Sequence, residues 1–110
     1  MSERIVQLNK DNFEQEVLKS DLPVLVDFWA PWCNPCVMMG KVLEDIVEVV
    51  FGKIKIAKLN VDDAANHELA IKYGIQGIPA LKVFKGGNVV KEMVGLKSRE
   101  GLLEELKDYL

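Results

Sequence analysis

The segment 23–29 limits the fold of this chain more than any other part of it. Its residues, Pro-Val-Leu-Val-Asp-Phe-Trp, are apolar at every position except Asp27. A short apolar run without alternation is typical of a strand that is covered on both faces, as in a parallel sheet. The sequence therefore predicts an α/β protein with helices on both faces of its sheet.

Strand-like and helix-like segments alternate along the rest of the chain. The predicted strands are 4–8, 54–61, 80–84 and 88–94, and the predicted helices are 11–20, 64–73, one from about 34 to Gly52, and one that begins at Ser98. The order is βαβαβα followed by ββα. Parallel crossovers first and a hairpin last predict a mixed central sheet, and the length of 110 residues predicts a single domain, 1–110.

Capping and turn residues mark the expected ends of these elements. Asp11 is the expected N-cap of the first helix, because Glu14 stands where a capping box places an acid. Gly86 and Gly87 separate two strand-like runs and predict a hairpin. Ser98 is the expected N-cap of the last helix.

The two cysteines, Cys33 and Cys36, fall where the apolar strand gives way to a helix. Positions i and i+3 of a helix are neighbours, so a disulfide can open and close there with little backbone motion. Helix N-termini favour negative charge, which lowers the pKa of a thiol at that place. We therefore expect Cys33 to attack a substrate disulfide and the less exposed Cys36 to resolve the mixed disulfide. Pro35 is tolerated in the first turn and stiffens the connection between them.

Three other interpretations of the cysteine pair remain open at this point. A zinc site needs four ligands, and the chain offers two cysteines and the single histidine His67. An iron–sulfur cluster would need thiolates from two chains. A static disulfide is unusual in a reducing compartment.

Asp27 is the second candidate, since it interrupts an otherwise apolar strand. A buried carboxylate has a raised pKa and can carry a proton near neutral pH, whereas the alternative is an acid that faces solvent. Lys58 shares parity with Ile54 and Ile56, so it is predicted to point inward and to partner Asp27. The alternative for Lys58 is a surface lysine with only its stem covered. The Ile78-Pro79 pair is either a simple strand start or a cis turn that faces the cysteines.

Charge and hydropathy exclude several function classes. The formal net charge is −3, whereas a nucleic-acid-binding protein needs a basic face. The first residues resemble neither a signal peptide nor a membrane anchor, so we expect a cytoplasmic protein with no membrane or nucleic-acid partner.

Together these residues resemble the thioredoxin family, from Asn12 to the last helix. The matching segments are 26–33, 35–36, 60–62, 73–75, 77–79, 84–85 and 94–95, among them Trp-Cys, Pro-Cys and Gly-Ile-Pro. The resemblance implies a thioredoxin fold, with Cys33 as attacking thiol, Cys36 as resolving thiol, Asp27 as buried acid and Lys58 as its neighbour. It also implies a cis Pro79. The implied substrate-binding surface consists of Trp32, Gly77, Ile78, Pro79 and Gly95.

The resemblance further implies reduction of disulfides in target proteins, without a bound cofactor beyond the Cys33–Cys36 pair. Electrons would come from a separate thioredoxin reductase, because the chain has no nucleotide-binding glycine motif. Substrate proteins and that reductase would be the partners of a monomer. A more oxidising disulfide oxidase or isomerase, and a scaffold that keeps the fold without catalysis, are the alternatives.

The chain departs from the family pattern near the cysteines. Asn34 replaces the usual glycine and, with Pro35, is expected to tune the redox potential, for instance through a bond from Asn34 to the Cys33 thiolate. Val37 stands where a basic residue is common. Gly40 and Lys41 occupy the region of a family proline, although glycine is unfavourable inside a helix. The loop 62–66 is slightly longer than usual.

Overall fold

A mixed sheet with the apolar segment in its middle forms the centre of the fold. The computed structural model describes residues 2–110. The strands are β1 (Ile5–Leu8), β2 (Val24–Trp29), β3 (Lys55–Asn60), β4 (Ala80–Lys85) and β5 (Asn88–Val94), in the order β1-β3-β2-β4-β5. Because β2 is parallel to β3 and antiparallel to β4, the predicted mixed sheet is confirmed.

Both faces of this sheet are covered, as the unbroken apolarity of β2 predicts. On one face, Leu25 belongs to a core built with the helices α1 (Asn34–Val50) and α3 (Arg99–Leu106). On the other face, Val26 and Phe28 belong to a second core, which includes residues near α2 (His67–Lys72). Side chains alternate along a strand, so Asp27 lies on the same face as Leu25, beneath α1.

The predicted helix 11–20 is wrong in type and in its cap. The chain forms a π-helical turn over Glu14–Leu18, in which the Lys19 N–H reaches back to the carbonyl oxygen of Glu14. Asp11 is not the cap, because the Asn9 side chain accepts the N–H groups of Asp11 and Asn12 and starts the turn instead. These hydrogen bonds to the Asn9 side chain compete with the start of a regular α-helix.

The remaining elements follow the predicted order. Gly86 and Gly87 have φ angles of 59° and 83° and connect β4 to β5 as a tight hairpin. Ser98 caps α3 by accepting the Gly101 N–H at 3.0 Å. A 3-10 turn (Ala64–Asn66), capped by Asp63, precedes α2. Over residues 2–110, no helix is both long and apolar enough to span a membrane.

Candidate active site

The cysteine pair lies where β2 leads into α1. Cys33 is the N-cap of α1, and its Sγ accepts the backbone N–H of Cys36 at 3.2 Å. A disulfide joins the two residues, whose Cα atoms are 5.1 Å apart. Pro35 occupies the first turn, where its missing N–H leaves no intrahelical bond unmade. The backbone N–H of Cys36 in this turn therefore points at the sulfur of Cys33.

The two sulfurs differ in their access to solvent. Cys33 is 7% exposed and Cys36 is fully buried, which confirms the predicted difference. The Sγ of Cys33 also lies 3.9 Å from the carbonyl oxygen of Ile78. A molecule that docks at this edge of the sheet thus meets Cys33 before Cys36.

Asp27 is fully buried, so the solvent-facing alternative for it is wrong. Neither of its carboxylate oxygens has a hydrogen-bond partner among the described residues. Burial raises the pKa of Asp27 to about 7, and the nearby charge of Lys58 limits the rise. The carboxyl group can therefore exchange a proton near neutral pH.

Lys58 is half-buried and points inward, as its parity predicts. It lies opposite Asp27 in the register of β2 and β3. Its Nζ lies 4.3 Å from the centre of the Trp29 ring. Sequence reasoning did not include Trp29 among the site residues, although its parity with Asp27 places both on one face of β2.

The segment around Ile78 forms the opposite wall of the site. The Ile78-Pro79 bond is cis, as expected from the resemblance. The Gly95 N–H donates to the Pro79 carbonyl oxygen at 2.8 Å. A Cβ atom on Gly77 would come within 3.3 Å of Val94. The fold thus brings 77–79 and Gly95 together beside the cysteines.

Trp32 projects from the same end of the molecule and is 69% exposed. Its Nε1 donates to the Asp62 carboxylate at 3.0 Å, which holds the indole against the segment that follows β3. Sequence reasoning did not single out Asp62 for this role. Its place two residues after the end of β3, which is parallel to β2, is the signal that could have identified it.

The unusual residues near the motif are on the surface. Asn34 and Val37 are both exposed. In this disulfide form, the Asn34 side chain makes no hydrogen bond to Sγ of Cys33 among the described residues. The bond expected for Asn34 concerns the thiolate, so it stays a prediction.

Metal ligands are not grouped in the part of the chain that the structure describes. No set of three or more His, Cys, Asp or Glu side chains there could hold a metal ion. His67 lies exposed at the start of α2, away from the first turn of α1 that holds the cysteines. The zinc alternative would need such a group, and the described residues do not form one.

Known proteins are similar in sequence to this chain over nearly its whole length. The family model "Thioredoxin" matches residues 4–108. The thioredoxin of Pseudomonas aeruginosa is 49% identical over 102 residues, which cover 93% of each chain. Thioredoxin 1 of a Nostoc species is 47% identical over 104 residues, covering 94% of this chain and 95% of the relative. The chain therefore belongs to the thioredoxin family and is a thiol-disulfide oxidoreductase of the protein-disulfide reductase type.

Proposed function

We propose that Cys33 is the attacking thiol and Cys36 the resolving thiol in the reduction of substrate disulfides. The Cys33 thiolate attacks one substrate sulfur, and the other substrate sulfur leaves as a thiolate that takes up a proton. The Cys36 thiol then loses its proton and attacks Sγ of Cys33, which releases the second substrate thiol. The substrate disulfide is reduced to two thiols as the Cys33–Cys36 disulfide forms.

The observation that carries this assignment is the unequal position of the two sulfurs. Cys33 is the N-cap, where backbone N–H groups favour a thiolate, and the residue keeps some access to solvent. Cys36 is fully buried, so a protein substrate cannot reach it directly. No feature of the described residues favours a disulfide oxidase or isomerase instead.

Asp27 is proposed to take the proton that Cys36 loses, with Lys58 as its charge partner. A carboxyl group with a pKa of about 7 is matched to proton transfer at neutral pH. The burial of Asp27 on the α1 face of β2 supports this role. Lys58 would keep the pKa from rising beyond the range in which the group can act as a base.

Substrate proteins are proposed to dock on the surface around Cys33. This docking surface consists of Trp32, Gly77, Ile78, Pro79 and Gly95. The exposed indole supplies apolar contact area, and the small residues leave the backbone near Ile78 open to an extended peptide. The closeness of the Ile78 carbonyl oxygen to Sγ of Cys33 supports attack on a disulfide bound there.

The proposals on partners and compartment rest on the same chemistry. We propose a monomeric single domain that works in the cytoplasm, where a dithiol reductase is kept reduced, and that serves electron transport to disulfide-containing proteins. Its own disulfide is proposed to be reduced by a thioredoxin reductase. Asn34 and Pro35 are proposed to tune the potential of the pair.

Serine variants test the roles of the two cysteines. Both variants are assayed for insulin reduction with dithiothreitol. Separately, each reduced variant is freed of dithiothreitol and mixed with insulin, and the products are analysed by non-reducing mass spectrometry. Cys36→Ser should accumulate a mixed disulfide with insulin, because the resolving thiol is absent, and Cys33→Ser should form none. Unchanged turnover in Cys33→Ser, or a mixed disulfide formed through Cys36, would contradict the assignment.

A further inference from the structure

Gly40 is an unusual residue for the interior of α1, and the docking surface does not account for it. Glycine is less favourable than alanine inside a helix. A Cβ atom built on Gly40 would lie 3.1 Å from Nζ of Lys58, and that ammonium nitrogen is the atom it meets within 4 Å. The space of the missing side chain is thus bordered by a charge from the neighbouring strand.

On the side away from Gly40, the Lys58 ammonium group contacts the Trp29 ring. Its Nζ lies 4.3 Å from the centre of the Trp29 ring, so the charge sits between α1 and that indole. Gly40 follows Cys36 by four residues, which places both on one stripe of α1. Lys58 is also the register partner of Asp27. The charge therefore lies one helical turn from the resolving thiol and next to the buried acid.

We propose that Gly40 is a positioning residue for Lys58: the lack of a side chain leaves the space that holds the ammonium group against the Trp29 ring and beside Asp27. The inference rests on the proposed role of Asp27 and Lys58 in proton transfer. Gly40 touches no reacting atom in this scheme. It acts by fixing the position of the Lys58 ammonium group.

Among the described groups that face Asp27 from the neighbouring elements, Lys58 is the charged one. β4 places Leu81 opposite Asp27, and β3 places Lys58 there. From α1, Met39 belongs to the apolar core on this face, and Cys36 is in a disulfide and does not titrate. Burial has the larger effect on the pKa of this carboxyl group, and the Lys58 ammonium is the charge that opposes it.

A methyl group at Gly40 would move that charge towards solvent. The neighbouring core residues are fully buried, whereas Lys58 is half-buried, so the open side is the surface. Displacement by a few tenths of an ångström, at an effective dielectric constant of about 20, weakens the attraction enough to raise the Asp27 pKa by about one to two tenths of a unit. Alanine also favours the helix, so the variant should not melt below the wild-type temperature.

The test is a double-variant cycle of Gly40→Ala and Lys58→Met, performed on the disulfide form. In that form neither cysteine titrates, and the carboxyl carbon resonance of Asp27, followed by ¹³C NMR against pH, reports its own pKa. Gly40→Ala should raise this pKa in the wild-type background. In the Lys58→Met background, the same substitution should leave it unchanged, because the displaced charge is gone.

Two results would overturn the proposal. One is an Asp27 pKa that Gly40→Ala does not change, and the other is an equal change with and without Lys58, which would show an effect through helix geometry. The proposed catalytic role is tested separately by Asp27→Asn in the reduced protein. If that variant keeps the wild-type pH profile for insulin reduction, the proton-transfer role fails while the Gly40–Lys58 coupling stands on its own measurement.

Discussion

Asp27 and Lys58 are register partners on adjacent parallel strands, yet the carboxylate oxygens of Asp27 have no hydrogen-bond partner among the described residues. The ammonium group contacts the Trp29 ring instead. Attraction without a hydrogen bond lowers the pKa of the acid less than burial raises it, so the balance lies at about 7. The acid is thus about half-ionised near pH 7.

Asp27→Asn is expected to stabilise the disulfide form at alkaline pH. The pKa of Asp27 is raised from its ordinary 3.8 to about 7, so the folded state binds the proton more tightly than the unfolded state. The contribution of Asp27 to wild-type stability should therefore be most favourable below pH 4, fall as the pH rises to about 7, and level off above it. The variant should be more stable by at most about 4 kcal/mol at pH 8 and similar to wild type at pH 4.

Guanidinium chloride unfolding at several pH values measures this difference. The remaining carboxyl groups are shared by the two proteins and cancel in the comparison. A stability difference that does not vary with pH would contradict the assigned burial and pKa of Asp27.

The hairpin between β4 and β5 offers a matched pair of glycines. A side chain on Gly87 would combine a φ of 83° with a Cβ contact of 3.2 Å to the backbone oxygen of Leu18. Gly86 has a φ of 59° and open space around it, and asparagine is common at the first position of such turns. Gly87→Asn should lower the free energy of unfolding by about 1–2 kcal/mol, whereas Gly86→Asn should leave it nearly unchanged. Equal losses in a thermal or denaturant unfolding series would contradict this reading of the turn.

The order of the elements could be predicted because local patterns and tertiary packing agree. The apolar run of β2, the helical spacing in α1, the two glycines of the hairpin and the Ser98 cap are each visible within a short window. The first helix could not be predicted in detail, since the Asn9 side chain accepts the N–H groups of Asp11 and Asn12 and starts the turn before Asp11. A pattern of apolar positions does not distinguish an α-helical from a π-helical turn when both bury Phe13 and Val17.

Part of the candidate site could likewise be predicted from the sequence, and part of it could not. The spacing of the cysteines and the isolated acid in β2 are sequence signals, and they led to Cys33, Cys36 and Asp27. The Trp29 and Gly40 contacts with Lys58 are made between separate elements. Their geometry depends on how α1 lies over the sheet, which residue types alone do not specify.

Trp32→Ala is expected to weaken the use of protein substrates. Its exposed indole supplies apolar contact next to Cys33, and loss of such an anchor costs about tenfold in kcat/KM, or roughly 1.4 kcal/mol. Phe51→Ala is the matched control, since Phe51 is 54% exposed at the far end of α1. Insulin reduction should fall for the first variant and not for the second, while both keep the wild-type redox potential. A similar loss in both would contradict the docking surface.

Asn34→Gly is expected to make the protein more reducing. If the Asn34 amide donates to the Cys33 thiolate, it stabilises the dithiol form, and its removal should lower the potential by about 15–30 mV, since 30 mV corresponds to about 1.4 kcal/mol. Equilibration with glutathione buffers measures the potential. Asn34→Ala separates the lost amide from the added backbone freedom of glycine. A potential that is unchanged, or higher, in both variants would remove this role of Asn34.

Val37→Lys is expected to change how fast a reductase recognises the chain. Val37 is 44% exposed one residue after Cys36, where the family commonly carries a basic residue. A cation at the rim of a docking surface acts mainly on the association rate, and salt screens its effect. The variant should be reduced faster by a bacterial thioredoxin reductase at low ionic strength, with the gain shrinking as salt is added. Val49→Lys, at a similarly exposed position near the other end of α1, should show no gain. A salt-independent change, or the same change in both variants, would show that the charge at position 37 does not steer the reductase.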